Sequence, residues 1–262
     1  MAERSSGRFG RRPARASSLP TDGDWERSVV LEPRTAARYP ELISDGGGLP
    51  FGPAALTGPA GRLDTDDPAV GVLMATIARQ AKTHSAGRSW VPRKQGRVPP
   101  KPAASPPSLE GWRVAARTED EVLFARGGLP KLVTVAVRRE SRRRTWTCIA
   151  VSAGRPLRPI REGVRASGWR LDPTRETDPA QRELRILVTE QTWAGGNRAD
   201  DRLLAPDLHV GEGELVLTMF VTPRPGFQIR APNPETLARV ALPCPVGSRR
   251  IIDGALFGAA AT

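Results

Sequence analysis

After Ser108, short apolar segments recur with turn residues between them: Trp112–Arg117, Glu121–Ala125, Leu132–Arg138, Thr145–Ser152, Val164–Leu171, Leu184–Thr192, Glu214–Thr222, Leu237–Leu242 and Arg249–Ile252. Short strands at this spacing predict an all-β unit over residues 108–257, an antiparallel β-sandwich that is Ig-like or barrel-like. Within it, Leu215, Leu217, Met219 and Val221 alternate with Val216, Thr218 and Phe220, and Leu132–Val137 is dominated by β-branched residues. Both segments read as central, well-buried strands. The 3.6-residue helical period is missing from this half of the chain; Arg175–Arg182 supports a helical turn and no more.

Upstream the pattern changes period. Asp67 followed by Pro68 is a helix entry, with a side-chain acceptor for the first free amides and a ring that presets the first helical φ. Val70, Leu73, Met74, Ile77 and Ala81 then fall on one stripe, with Arg79, Gln80 and Lys82 off it. One short amphipathic helix is expected over 66–84. Its stripe has to be buried on the downstream domain, a partner helix or a membrane surface.

Residues 1–65 are rich in Pro, Gly and Ser, including Asp45-Gly46-Gly47-Gly48, and read as a largely disordered extension. Within them Trp25, Val30, Leu31, Tyr39, Leu42 and Ile43 are dense enough either to dock on a partner or to pack on the chain's own domain. Residues 85–107 hold Arg88, Arg93, Lys94, Arg97 and Lys101 without an acidic residue, interleaved with six prolines. An extended basic linker is the natural reading, although five cations beside Trp90 also supply the charge and the stacking ring of a single-strand contact. Residues 258–262 are a short tail.

Composition narrows the class. Gly and Pro number 26 each in 262 residues, and aromatics make up 5%. The formal charge of +12 comes from 36 Arg and 4 Lys against 28 acidic residues. Arg in place of Lys is what GC-rich coding produces, which weakens the charge as an argument for a polyanion partner. The longest uncharged apolar run, Ala69 to Ala78, is about half the ~20 residues a membrane-spanning helix needs. The first residues carry charge without an apolar stretch after them, so no secretory signal is readable, and Cys148 and Cys244 are too few for a disulfide framework. A cytoplasmic protein with free thiols is expected.

Motifs that would carry chemistry are not apparent. His84 and His209 stand 125 positions apart, outside any metal-ligand spacing, and neither Gly-x-Ser-x-Gly nor a phosphate-binding glycine loop occurs. No enzyme activity, metal or cofactor is therefore expected; a hydrolase would need a cleft holding His209 and a nucleophile. The densest charge is Arg138, Arg139, Arg142, Arg143 and Arg144, between two strong strands and hence at a hairpin tip. Such a tip either binds anions, since the guanidinium fork suits phosphates, or keeps a β-rich surface soluble. The function these patterns predict is a non-enzymatic binding or interaction module with a protein partner. The alternative is a binder of nucleic acid or another anionic surface, through the 85–107 linker and the Arg138–Arg144 tip.

Five runs carry a resemblance: Arg165–Pro173, Leu187–Gly196, Val221–Gly226, Pro232–Thr236 and Val246–Gly254. Together, over roughly residues 160–256, they resemble the C-terminal part of uncharacterised β-rich proteins of high-GC bacteria, many of them exported. In that family a cysteine often stands near the position of Trp193 and another near Arg230-Ala231, and the resemblance implies that the two can pair. Both are replaced here, which fits a version kept in a reducing compartment. The resemblance implies a β-rich fold and lends no catalytic residue.

Overall fold

The computed structural model of the chain describes residues 19–87, 108–129, 131–191, 194–229 and 231–257. Its elements, in chain order, are α1 (Asp22–Glu26), β1 (Val29–Leu31), β2 (Arg34–Thr35), β3 (Ile43–Ser44), α2 (Ala54–Thr57), α3 (Pro68–Gly87), β4 (Trp112–Arg117), β5 (Glu121–Arg126), β6 (Val133–Arg139), β7 (Trp146–Ala153), β8 (Arg158–Arg161), β9 (Val164–Leu171), β10 (Glu183–Thr189), β11 (Asp207–Val210), β12 (Glu214–Val221), β13 (Thr236–Ala241) and β14 (Arg250–Asp253). The protein is mostly β. The nine segments expected after Ser108 are all strands, with small shifts of boundary, and β8 and β11 are added to them.

These strands do not form a purely antiparallel array. Consecutive strands β4-β5-β6-β7 make a four-stranded antiparallel sheet. The remaining ten form a curled sheet with the central order β1-β13-β10-β9-β12-β11-β2, in which β1 beside β13, β2 beside β11 and β14 beside β12 are parallel. Hairpins can only give antiparallel neighbours; β1, β2 and β14 arrive by long connections and are free of that constraint.

The largest departure from the sequence reading lies at 19–65, which is not a disordered extension. Residues 1–18 lie outside the described residues. From Thr21 onward the chain is built into the fold: the Thr21 backbone N–H and hydroxyl donate to Asp24 Oδ2 at 3.0 and 2.7 Å, closing the first turn of α1. That turn delivers Trp25 against Leu187 and Leu237, with the Arg185 guanidinium 5.4 Å from its ring. β1 then lies in register with β13, Leu31 opposite Val240, and joins the main core.

The Asp45–Gly48 run is a case of close packing. Ile43 and Phe51 exchange both backbone hydrogen bonds (2.8 and 2.9 Å), and the loop between them turns at Gly46, whose φ is +80°. Asp45 accepts from Gly47 N at 2.8 Å and from the buried hydroxyl of Thr134 on β6. A Cβ on Gly48 would stand 2.7 Å from Ala136 Cβ and 2.9 Å from Leu123 Cδ1. Glycine is needed here because the backbone lies directly on the sheet.

The four-stranded sheet is consequently covered on both faces. Val122, Phe124, Val135 and Val137 meet Ala69, Val70 and Leu73 of α3, while Leu123, Ala125 and Ala136 meet Ile43, Phe51 and Leu157. Val70, Leu73 and Ile77 of the predicted stripe thus pack on the chain's own sheet, joined by Ala69, whereas Met74 is half-buried outside that core and Ala81 is exposed. Asp67 sets the start of the helix as an acceptor: Ala69 N donates to its Oδ1 at 2.9 Å, and Arg117 Nη1 ties its Oδ2 to β4 at 2.6 Å. The helix runs to Gly87, beyond the expected end at 84; residues 88–107, most of the expected linker, and the 258–262 tail lie outside the described residues. No described helix is long and apolar enough to cross a membrane.

The ten-stranded sheet buries its inner face in a separate core of Leu184, Ile186, Val188, Leu215, Leu217, Met219, Ala238 and Val240. The loops at one end are stapled by a buried ion pair: Arg202 donates to both carboxylate oxygens of Glu190 (3.1 and 2.7 Å) and to Thr222 O at 3.0 Å. Asn233 continues the staple, donating to Glu190 O at 2.9 Å and accepting from Ala194 N at 3.0 Å. The runs 187–196 and 232–236 are thereby joined, although Trp193 and Arg230 lie outside the described residues. Cys148 on β7 and Cys244 after β13 are free thiols.

Candidate functional site

The alternation of β12 places the site. Leu215, Leu217 and Met219 enter the core, so Glu214, Val216, Thr218 and Phe220 must face the other side of the sheet. Asp207 and His209 of β11 and Arg250 and Ile252 of β14 line that same outer side. β2 borders that side at the sheet edge with Arg34, the N-terminal segment after it adds Arg38, Tyr39 and Leu56, and β8 adds Ile160 and Arg161. Between these layers is a cleft of about 1070 Å³.

Its floor is apolar and its walls carry charge. Arg34 donates through Nε (3.1 Å) and Nη2 to Asp207 Oδ1. Arg38 pairs with Glu214, Nη2 standing 3.2 Å from Oε2, and its guanidinium lies 5.0 Å from the ring of Tyr39. Tyr39 in turn meets Phe257 edge to face, the centroids 5.9 Å apart. Arg161 is placed differently. Its guanidinium lies 5.3 Å from the Phe220 ring, and its Nη1 is shielded from solvent without a hydrogen-bond acceptor, 3.9 Å from Asp207 Oδ1. Arg250 has no carboxylate partner among the described residues.

Asp253 ends β14 at the inner edge of the cleft and also borders a recess of about 330 Å³ lined by Arg158, Trp169 and Gln191. Burial pushes its carboxyl up to about 6, against the opposing pull of the Ala255 and Trp169 amides and the Arg158 charge. Ala255 N donates to Oδ1 at 2.9 Å and Trp169 N to Oδ2 at 3.4 Å. The next residue has no room for a side chain, since a Cβ on Gly254 would fall 2.1 Å from Thr218 Oγ1. The backbone just after β14 and the Thr218 hydroxyl of β12 therefore meet directly in the floor.

The residues singled out in the sequence are distributed as follows. Trp25, Leu31 and Ile43 are buried in the chain's own cores and are not available to a partner, whereas Val30, Tyr39 and Leu42 are exposed and Tyr39 lines the cleft. Arg138 pairs with Glu121, Nη2 at 2.8 Å from Oε2. Arg139 is half-buried, its N–H donating to Asp120 O at 2.7 Å. Arg142, Arg143 and Arg144 are exposed at the tip and without a carboxylate partner among the described residues. The tip is closed by Arg144 N donating to Glu140 O at 2.8 Å, with Arg144 at φ +53°.

His209 does face the cleft, as does Thr218, but no hydrogen bond joins His209 to a hydroxyl or thiol among the described residues. No group of three His, Cys, Asp or Glu side chains is arranged to hold a metal ion among them either. The cleft residues Arg34, Arg38, Arg161, Asp207 and Asp253 were missed in the sequence. One signal pointed toward them: β12 is apolar on both faces, so something had to cover the second face. No protein-family model, curated protein or solved structure matches the chain.

Proposed function

We propose that the chain is a non-enzymatic binding module of the β-sandwich type, and that the cleft over β11, β12 and β14 is its recognition site. The lining carries this reading. Val216, Phe220 and Ile252 offer an apolar floor, and the charged walls are held chiefly by one another, Arg34 on Asp207 and Arg38 on Glu214. Such groups fix shape and orientation. A largely apolar concavity with a few placed polar groups, at or somewhat above the ~300–1,000 Å³ of ordinary ligand pockets, is the usual form of a binding site. The reading places the module in the cytoplasm, where thiols such as Cys148 and Cys244 stay reduced.

The test is a small-fragment library screened against the full chain by amide chemical-shift mapping. Shifts should gather on Thr218, Phe220, Ile252 and Asp253. Binders that map elsewhere, or a screen without binders, would reject the cleft. A second reading, polyanion binding at the hairpin tip, is favoured by the exposure of Arg142, Arg143 and Arg144 without a described carboxylate partner. Under it, affinity for single-stranded DNA falls steeply with salt, and replacing the three by Ser reduces that slope by up to about three phosphate contacts. An unchanged slope excludes the tip.

A further inference from the structure

The charges of the cleft do not all close on each other. Asp207 Oδ1 already accepts two hydrogen bonds from Arg34, and the same oxygen, 3.9 Å from Arg161 Nη1, is the carboxylate that Arg161 approaches. One carboxylate is thus divided between two guanidiniums, while Glu214 is taken by Arg38 and Asp253 by the amides of Ala255 and Trp169. Arg161 is left with an under-compensated charge, and more than a third of its side chain (37%) is open to the cleft and solvent. It rests on the Phe220 ring, at the point where the charged wall meets the apolar floor.

We propose that the cleft binds an amphipathic organic monoanion, a medium-chain carboxylate, with its head on the open side of the Arg161 guanidinium and its body along Ile160, Phe220, Ile252 and Phe257. This rests on the reading of the cleft as the recognition site. A planar guanidinium matches a carboxylate bidentately, and such charge-assisted bonds are the strong ones. The head carries a single charge to match the one guanidinium it rests on, Arg161, which Asp207 at 3.9 Å compensates only in part. The body is apolar because that path runs over hydrocarbon and aromatic side chains, and the neighbouring Thr218 hydroxyl is packed against Gly254.

Octanoate, octanol and octylamine, titrated into the full chain by calorimetry and amide-shift mapping, separate the possibilities. Octanoate should bind with shifts on Phe220 and Ile252, at least about tenfold more tightly than octanol or octylamine. Arg161→Met should weaken octanoate about tenfold and leave octanol unchanged. If that variant does not fold, Arg250→Met at the exposed rim serves instead, with an expected loss of about threefold. Octanol or octylamine binding in the cleft as well as octanoate, octanoate indifferent to Arg161→Met, or, where that variant does not fold, indifferent to Arg250→Met, overturns the monoanion and leaves the cleft standing. Failure of all three probes to shift any cleft residue overturns the monoanion too, and the fragment screen then decides separately whether the cleft is a site.

Discussion

The two sheets of this protein use the same kind of strand for different ends. In β5 of the four-stranded sheet, Val122 and Phe124 point to α3 while Leu123 and Ala125 point to the 43–57 segment, and both faces are sealed. In β12 of the ten-stranded sheet, Leu215, Leu217 and Met219 enter the core, but Val216, Thr218 and Phe220 face a cleft that the N-terminal segment roofs without filling. The covering elements explain the difference. An amphipathic helix lays a continuous stripe on a sheet and excludes everything else, whereas a segment punctuated by Pro33, Pro40 and Pro53 crosses the sheet at its rim with polar residues such as Arg34 and Arg38. The four-stranded sheet is buried on both faces, whereas the ten-stranded one buries its inner face and keeps a cleft on the outer.

If that division is right, damage to the sealed sheet costs stability first. Phe124→Ala should lower unfolding free energy by about 3–5 kcal/mol, because a fully buried ring leaves a cavity under α3. Chemical denaturation measures it. A loss below about 1 kcal/mol would mean that α3 is not seated on the sheet as described.

The roofed sheet should instead show itself in pH dependence through Asp253. Its carboxyl, raised from 3.8 to about 6, makes the folded state bind a proton more tightly than the unfolded state does. This contribution is fully present below about pH 4, is lost as pH rises through about 6, and is flat above that. A rise of that size is equivalent to up to about 3 kcal/mol of stability. Asp253→Asn cannot ionise, so urea unfolding at pH 4.5 and 7.5 should show the wild type losing stability relative to the variant as pH rises. A constant difference between the two proteins would remove the buried carboxyl from the account.

Gly48→Val tests whether the glycine-rich loop belongs to the sealed sheet. Its new Cβ would collide with Ala136 and Leu123, and overpacking of this kind costs about 1–3 kcal/mol. Unaltered stability would show that the loop is not seated there. The smallest effect is expected at the tip, where replacing Arg142, Arg143 and Arg144 by Ser should change stability by no more than about 0.5 kcal/mol and leave octanoate binding untouched. Light scattering should show more self-association as the charge is removed.

Much of the strand content was legible because it depends on local pattern. The period-two alternation of Glu214–Val221 and the β-branched run before Arg138 define strands wherever they are placed, and Asp67-Pro68 with its stripe defines α3. The N-terminal segment was misread for a physical reason. Glycines and prolines mark both a chain that cannot build its own core and a chain that borrows one, and Gly48 pressed on Ala136 is the second kind. Short strands such as β1, β2 and β3 have too few residues to show a period, and only their partners β13, β11 and β8 make them strands.

The cleft depends on such long-range encounters entirely. Local pattern along the chain determines which residues of β12 share a face, because successive side chains of a strand point to opposite sides. It contains nothing about what lies opposite. Arg34 reaches Asp207 and Arg38 reaches Glu214 across more than 170 positions, and Arg161 and Asp253 join them from two further segments. Those distances in sequence are closed by the curl of the ten-stranded sheet and the parallel entry of β2 and β14, which are properties of the packed chain and of no segment within it.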